Sequence, residues 1–242
     1  MTVFPIPAKI PAPFDVARAQ RTLAALAEGE GGFVPAAEHL PVLEAAFGNS
    51  PFLARIAIRE RDFLKHALSS EPQSLMRDIE AECFAAVEAE SIVAAMAVLR
   101  RAKRRAALTI ALADIGGIWS LPEVTRALSK FADSCVSSAL RFLLVQAAVP
   151  MGIDASDPAK LENETGLIVL AMGKYGAYEL NYSSDIDLVV FYDMQRFPFR
   201  KKDDPRGAAV DLVKGLVRLL SELTSDGYVF RVDLRLRPDA GA

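Results

Sequence analysis

From Phe14 to about Val149, apolar residues recur every three to four positions among alanines and charged residues, and no run alternates with period two. That periodicity predicts an all-helical segment. Its clearest element begins at Ser120, where Ser120 and Glu123 form a capping-box pattern with Pro122 in the first turn. Val124, Leu128, Phe131, Cys135, Ala139 and Phe142 then share one face. Further helices are expected over 14–27, 43–47, 51–68, 75–89 and 91–115. Four prolines before Asp15 predict an extended arm over residues 1–13.

Pro150, Gly152 and the polar stretch 154–165 break the pattern and mark a boundary between a helical region, 1–150, and a second region, 151–242. There the grammar changes. GLIVLA at 166–171 and DIDLVVFY at 185–192 read as strands. A polar loop, 193–206, precedes a helix over 207–224 that carries Val210, Val213, Val217 and Leu220, with Gly227 after its end. A third strand is expected over 228–237, with Tyr228, Phe230, Val232, Leu234 and Leu236 facing one way and Arg231, Asp233, Arg235 and Arg237 the other. A helical segment followed by strands defines an α+β protein. With no further strand after Arg237, the sheet is expected to be truncated at its C-terminal side.

The 242 residues suffice for one or two domains, and 52% are apolar against 24% charged, a balance that excludes a disordered chain. The net charge of −3 gives no global attraction to nucleic acid or anionic lipid, so phosphate chemistry has to be local. Asp114, Arg141 and Gln146 interrupt the apolar runs that approach the length of a membrane span. No secretory signal pattern opens the chain, and the expected location is cytoplasmic. Cys83 and Cys135 form no metal-ligand motif with His39 or His66 and read as reduced, buried thiols.

The candidate chemistry is acidic. Asp185 and Asp187, two apart on a strand, share a face with Cα atoms roughly 6.5–7 Å apart. Two such carboxylates suit divalent ions, and Asp233 is the natural third ligand. The alternative, less favoured because acidic residues are disfavoured in strands, is that they decorate a solvent-facing strand and cap a turn. Gly173, Lys174 and Gly176, then Ser183 and Ser184, lie in the preceding loop and suggest phosphate binding, although the P-loop pattern is absent. A plain tight turn is the alternative. Arg235 and Arg237 are candidate phosphate ligands or members of an ion-pair ladder. The run Arg100, Arg101, Lys103, Arg104 and Arg105 reads as a solvated helix face, and Trp119 as a packing anchor.

The runs AMGKYGAYELNYSSDIDLVVFYD, 171–193, and GYVFRVDLRLRPD, 227–239, resemble the bacterial glutamine synthetase adenylyltransferase/adenylyl-removing enzymes, within the DNA polymerase β-like nucleotidyltransferase superfamily. Residues 48–68 and 99–135 resemble the helical leader of that family. Ala171 departs from a usual glycine. The resemblance implies a polymerase β-like core with a small mixed sheet. Glu179, Leu180 and Asn181 ahead of Ser183–Leu188 resemble the adenylyl-removing copy rather than the adenylyl-adding one. The implied reaction is phosphorolysis of adenylyl-tyrosine on glutamine synthetase, with Mg²⁺ (or Mn²⁺) on Asp185, Asp187 and Asp233, inorganic phosphate as co-substrate and ADP as product. The PII signalling protein is an implied partner of the full-length family enzyme. ATP-dependent adenylylation and a non-catalytic docking module are the competing readings.

Overall fold

The structure is a computed structural model that describes residues 10–199 and 204–234. In chain order the helices are α1 (Val16–Ala27), α2 (Leu40–Asn49), α3 (Pro51–Arg59), α4 (Arg61–Ala67), α5 (Pro72–Phe84), α6 (Ile92–Ile115), α7 (Leu121–Ala148) and α8 (Pro158–Glu164). After them come β1 (Leu167–Met172), the single turn α9 (Gly173–Gly176), β2 (Ile186–Tyr192), α10 (Pro205–Ser221) and the short β3 (Val232–Asp233). The protein is therefore α+β, with one small mixed sheet.

Contacts divide the chain into two units: residues up to Ile79 with Ala102–Ala127, and Glu80–Arg101 with everything from Leu128. The first is helical. Its core gathers Leu26, Leu43, Phe47, Ile56 and Leu64 around Leu108 and Leu112. Within the arm, Asn49 Nδ2 donates to the carbonyl of Ala12, and Gly48 leaves no space for a Cβ beside Pro13. The expected helix over 51–68 breaks at Glu60, whose backbone leaves the helical region. The Glu60 carboxylate is buried and accepts from Arg104 Nε at 2.6 Å and Arg105 Nε at 3.2 Å.

The second unit holds the sheet. Its strand order is β1-β2-β3, with β1 antiparallel to β2 and β2 parallel to β3. One side of β1–β2 packs with Leu140, Leu144, Leu161 and Leu212. On the other side Ile168, Leu170, Met172 and Phe191 stay 40–50% exposed, and Ile168 pairs with Phe191 across the strands. Phe197 and Phe199, in the loop read as polar, are buried in this core. The helix α8, with its Asp157 N-cap, occupies a stretch read as a break; Arg141 and Ser137 of α7 hold its Glu162.

The capping box forms as expected: Glu123 accepts from both the amide and the hydroxyl of Ser120 at 2.7 Å, and the predicted apolar face of α7 is buried throughout. Residues Leu121–Met151 are long and apolar enough to cross a membrane by length and composition, a span the sequence reading had discounted. Inside the fold, however, that apolar face forms core contacts and Arg141 is paired with Glu162. Cys83 and Cys135 are buried free thiols, as expected, with sulfurs 3.9 Å apart. Trp119 is buried.

Two expectations fail. The basic run on α6 is not a solvated face: Arg100 and Arg104 are buried, at 1% and 8% exposure. Arg100 donates to the carbonyls of Met96, Leu219, Glu222 and Gly227, tying α6 to the end of α10 and the turn after it. Burial lowers its pKa, and Glu222 and Asp226 oppose that shift. The third strand is also shorter than its alternation suggests. Val229 and Phe230 are both buried, and their amides donate to Leu220 of α10 instead of to a strand, so pairing begins only at Val232.

Candidate functional site

At the end of β1 the chain turns sharply. Gly173 has φ +56°, a conformation that favours glycine, and a Cβ there would meet Asp187 Oδ2 at 2.7 Å, so a side chain would force that carboxylate to move. Gly176 meets a second limit, since its Cβ would fall 2.4 Å from the carbonyl oxygen of Ala171. The loop is thus pressed onto the strand that carries the aspartates. Substituting Ala for Gly173 is expected to displace the loop or the Asp187 carboxylate, and amide exchange at 173–178 will rise relative to the rest of the sheet.

Asp187 and Asp233 are direct Cα partners in the parallel β2–β3 pair, and Met172 is the antiparallel partner of Asp187. Directly paired residues point to one face with Cα atoms about 4.8 Å apart. Both residues are half-buried. Like charges placed opposite each other in a sheet are destabilising. Asp185, just before β2, is exposed, and its carboxylate accepts from Arg231 Nε, while Arg231 also donates to the carbonyl of Ser183 and to the Tyr228 hydroxyl. The hydrogen bond to Asp185 raises the Arg231 pKa, followed by the charges of Tyr228 and Asp185. The sequence places Arg231 with Arg235 and Arg237 on the face of Asp233 and favours the latter two as phosphate ligands; Arg235 and Arg237 lie outside the described residues.

The donors of this site are hard carboxylate oxygens, the chemistry of Mg²⁺ rather than of zinc. Asp187 and Asp233 are two such donors in register. Asp185 is turned to Arg231, and among the described residues no group of three His, Cys, Asp or Glu side chains gathers closely enough to hold a metal. Lys174 is exposed, Ser183 is exposed with φ +58°, and Ser184 is half-buried in the turn to Asp185. A cavity of about 450 Å³ in this unit is lined by Asp133, Glu162, Val169, Tyr175 and Arg196, and none of the three aspartates lines it.

The loop after β1 has an anchor that the sequence reading missed. Asp133 on α7 accepts from the Tyr175 hydroxyl at 2.8 Å and from the Tyr178 hydroxyl at 3.0 Å. Burial first, and then the Asp133 charge and hydrogen bond, push the Tyr175 pKa far above its ordinary value. A raised phenol pKa in the folded state contributes stability that is complete below the unfolded value, about 10, and is lost as pH rises above it. Above pH ~10 stability should therefore fall by up to about 1.4 kcal/mol per pH unit from this one group. Chemical denaturation across pH 9–11 checks this, and Tyr175→Phe should flatten the slope.

An acidic pair in register on a mixed sheet, with a glycine turn held against it, places the chain among α+β proteins with an acidic sheet face. Residues 40–242 match the glutamate-ammonia ligase adenylyltransferase family, and the chain belongs to it. It is 46% identical over 193 residues to the bifunctional glutamine synthetase adenylyltransferase/adenylyl-removing enzyme of Xanthobacter autotrophicus, covering 80% of this chain and 20% of that protein. The protein of the same description from Rhodopseudomonas palustris strain HaA2 is 47% identical over 191 residues (78% and 19%), and that from Caulobacter vibrioides 40% over 202 residues (81% and 20%). The chain spans about a fifth of the length of these relatives.

Proposed function

We propose that this chain carries a nucleotidyl-transfer site that acts on glutamine synthetase and works in the adenylyl-removing direction. The observation that supports this best is the register of Asp187 with Asp233, two like charges kept opposite one another and beside a glycine turn. Like charges opposed in a sheet repel one another, and a divalent cation shared by the two would turn that repulsion into attraction. The relatives' names supply the substrate, and the Glu179-Leu180-Asn181 signature supplies the direction.

In this reading an oxygen of inorganic phosphate attacks the phosphorus of adenylyl-tyrosine. A new P–O–P linkage forms as the bond to the tyrosyl oxygen breaks, giving ADP and the unmodified tyrosine side chain of glutamine synthetase. The departing phenolate has an intrinsic pKa of about 10, so a strong general acid is not obligatory. Asp187 and Asp233, with Asp185, would hold Mg²⁺ or Mn²⁺, which when bound supplies charge stabilisation to the phosphate oxygens. Lys174, Ser183 and Ser184, on the loop side, would bind and orient those phosphates, with Gly173 and Gly176 letting the backbone close in; Arg235 and Arg237 would add bidentate donors. Arg231 neutralises Asp185 until substrate arrives; the pair is exposed and costs little to open.

Adenylylated glutamine synthetase incubated with this chain, phosphate and Mg²⁺ should release ADP. Incorporation of label from ATP into unmodified glutamine synthetase, with no ADP release in the first assay, would instead establish the adding direction. Neither product would leave the docking reading. An influence of PII belongs to the longer family enzyme.

A further inference from the structure

The loop between β1 and β2 is tied to Arg231 through Ser183 and Asp185, and it meets its unit at two further places. At one, Gly173 lies against the Asp187 carboxylate. At the other, three groups of the loop reach two side chains of α7: the hydroxyls of Tyr175 and Tyr178 donate to Asp133, and the amide of Leu180 donates to Ser129 Oγ at 3.2 Å. Ser129 and Asp133 are four residues apart, hence on one face of a 28-residue helix. Tyr175 and Leu180 are buried, at 4% and 0% exposure, whereas Tyr178 is 45% exposed.

Tyr178 also has φ +59°, a left-handed conformation that a residue with a Cβ adopts at a cost. Packing does not force it there, because the ring is nearly half in solvent. What holds the ring over α7 is its hydroxyl on Asp133. An exposed side chain in a strained turn whose hydroxyl reaches across to a neighbouring helix has the character of a latch rather than of core packing.

We propose that Asp133 is a positioning residue for the nucleotide-binding loop: by gathering the Tyr175 and Tyr178 hydroxyls on one carboxylate it fixes the turn that sets Gly173 against Asp187. This deepens the proposed function and rests on it. Asp133 touches no reacting atom; it acts through the loop.

Two variants test this in the full 242-residue chain. Tyr178→Phe removes one exposed hydroxyl and nothing from the core. Asp133→Asn keeps shape but removes the charge and one acceptor oxygen. Amide exchange at 177–182 is measured without ligand, and Mg·ADP affinity by calorimetry. The expected result in both is exchange faster and affinity weaker by about tenfold, the equivalent of about one hydrogen bond, with any fall in the thermal midpoint limited to about 2–4 °C. Wild-type exchange and affinity in both variants would overturn the proposal, and so would a larger fall in the midpoint with exchange rising across the whole unit, which marks a merely structural contact. A wild-type chain that binds no Mg·ADP, with exchange still rising at 177–182 in the variants, overturns the function reading and removes the positioning role with it. Wild-type binding with unaffected variants sinks the positioning role alone.

Discussion

Asp187→Asn is expected to reduce ADP release from adenylylated glutamine synthetase by about 10²–10³-fold, the usual cost of removing one preorganised charge from a reacting centre. Asp187 is the side chain on which the site's elements meet. It pairs with Asp233 in β3 and with Met172 at the end of β1, and its Oδ2 lies where a Cβ of Gly173 would have to go. Asparagine preserves the volume and the strand register. It also relieves the repulsion between two neighbouring carboxylates, so the thermal midpoint should hold or rise slightly. Lost activity with preserved stability identifies a functional rather than structural aspartate. A variant that keeps more than about a tenth of the wild-type rate, a deficit of less than ~1.4 kcal/mol, would remove Asp187 from the chemistry.

The largest stability effect is expected at Arg100. Replacing it with Met retains much of the stem but leaves the carbonyl of Leu219 without its guanidinium donor in a buried setting and removes the bonds to the part-buried carbonyls of Glu222 and Gly227. Unsatisfied buried acceptors cost about 1–3 kcal/mol each, partly recovered where water enters, so a loss of about 3 kcal/mol is expected. For a chain of this size that corresponds to a midpoint lowered by roughly 6–12 °C. The neighbouring Arg101 is the control: it is exposed, it pairs with Glu82, and its replacement by Met should change stability by less than about 1 kcal/mol. Equal effects at the two positions would refute the assignment of Arg100 as the tie between α6 and the end of α10.

These two arginines show where the sequence stops being legible. Along the chain, 100–105 is a basic run and reads as solvated; nothing local reveals that Arg100 reaches carbonyls more than a hundred residues away. The same holds for Glu60, whose burial with Arg104 and Arg105 accompanies a helix break that periodicity alone does not mark. By contrast, the helix from Ser120, the first two strands and the thiols in their core are all written in local spacing and capping chemistry. The third strand falls between. Its alternation is real, but hydrogen bonds from Val229 and Phe230 to Leu220 compete with sheet pairing and defer it to Val232.

The candidate site divides in the same way. That Asp187 and Asp233 might face one another could be guessed from two acidic strands, because strand geometry repeats every two residues. Arg231 was visible only as one of several arginines near Asp233, and its selection of Asp185 depends on the turn at Ser183. Asp133 carried no sequence signal. It lies in a helix far upstream, and only the folded loop brings two phenols to it.

Because Arg100, Arg141, Ser129 and Asp133 hold the end of α10, α8 and the loop after β1 from the helical stretch before them, shortened versions of the protein face a practical constraint. A clone begun at the proline-glycine break would encode every candidate acidic ligand but lack Ser129 and Asp133, which hold the loop beside them. An inactive product from such a clone would report missing scaffolding, and would say nothing about the chemistry.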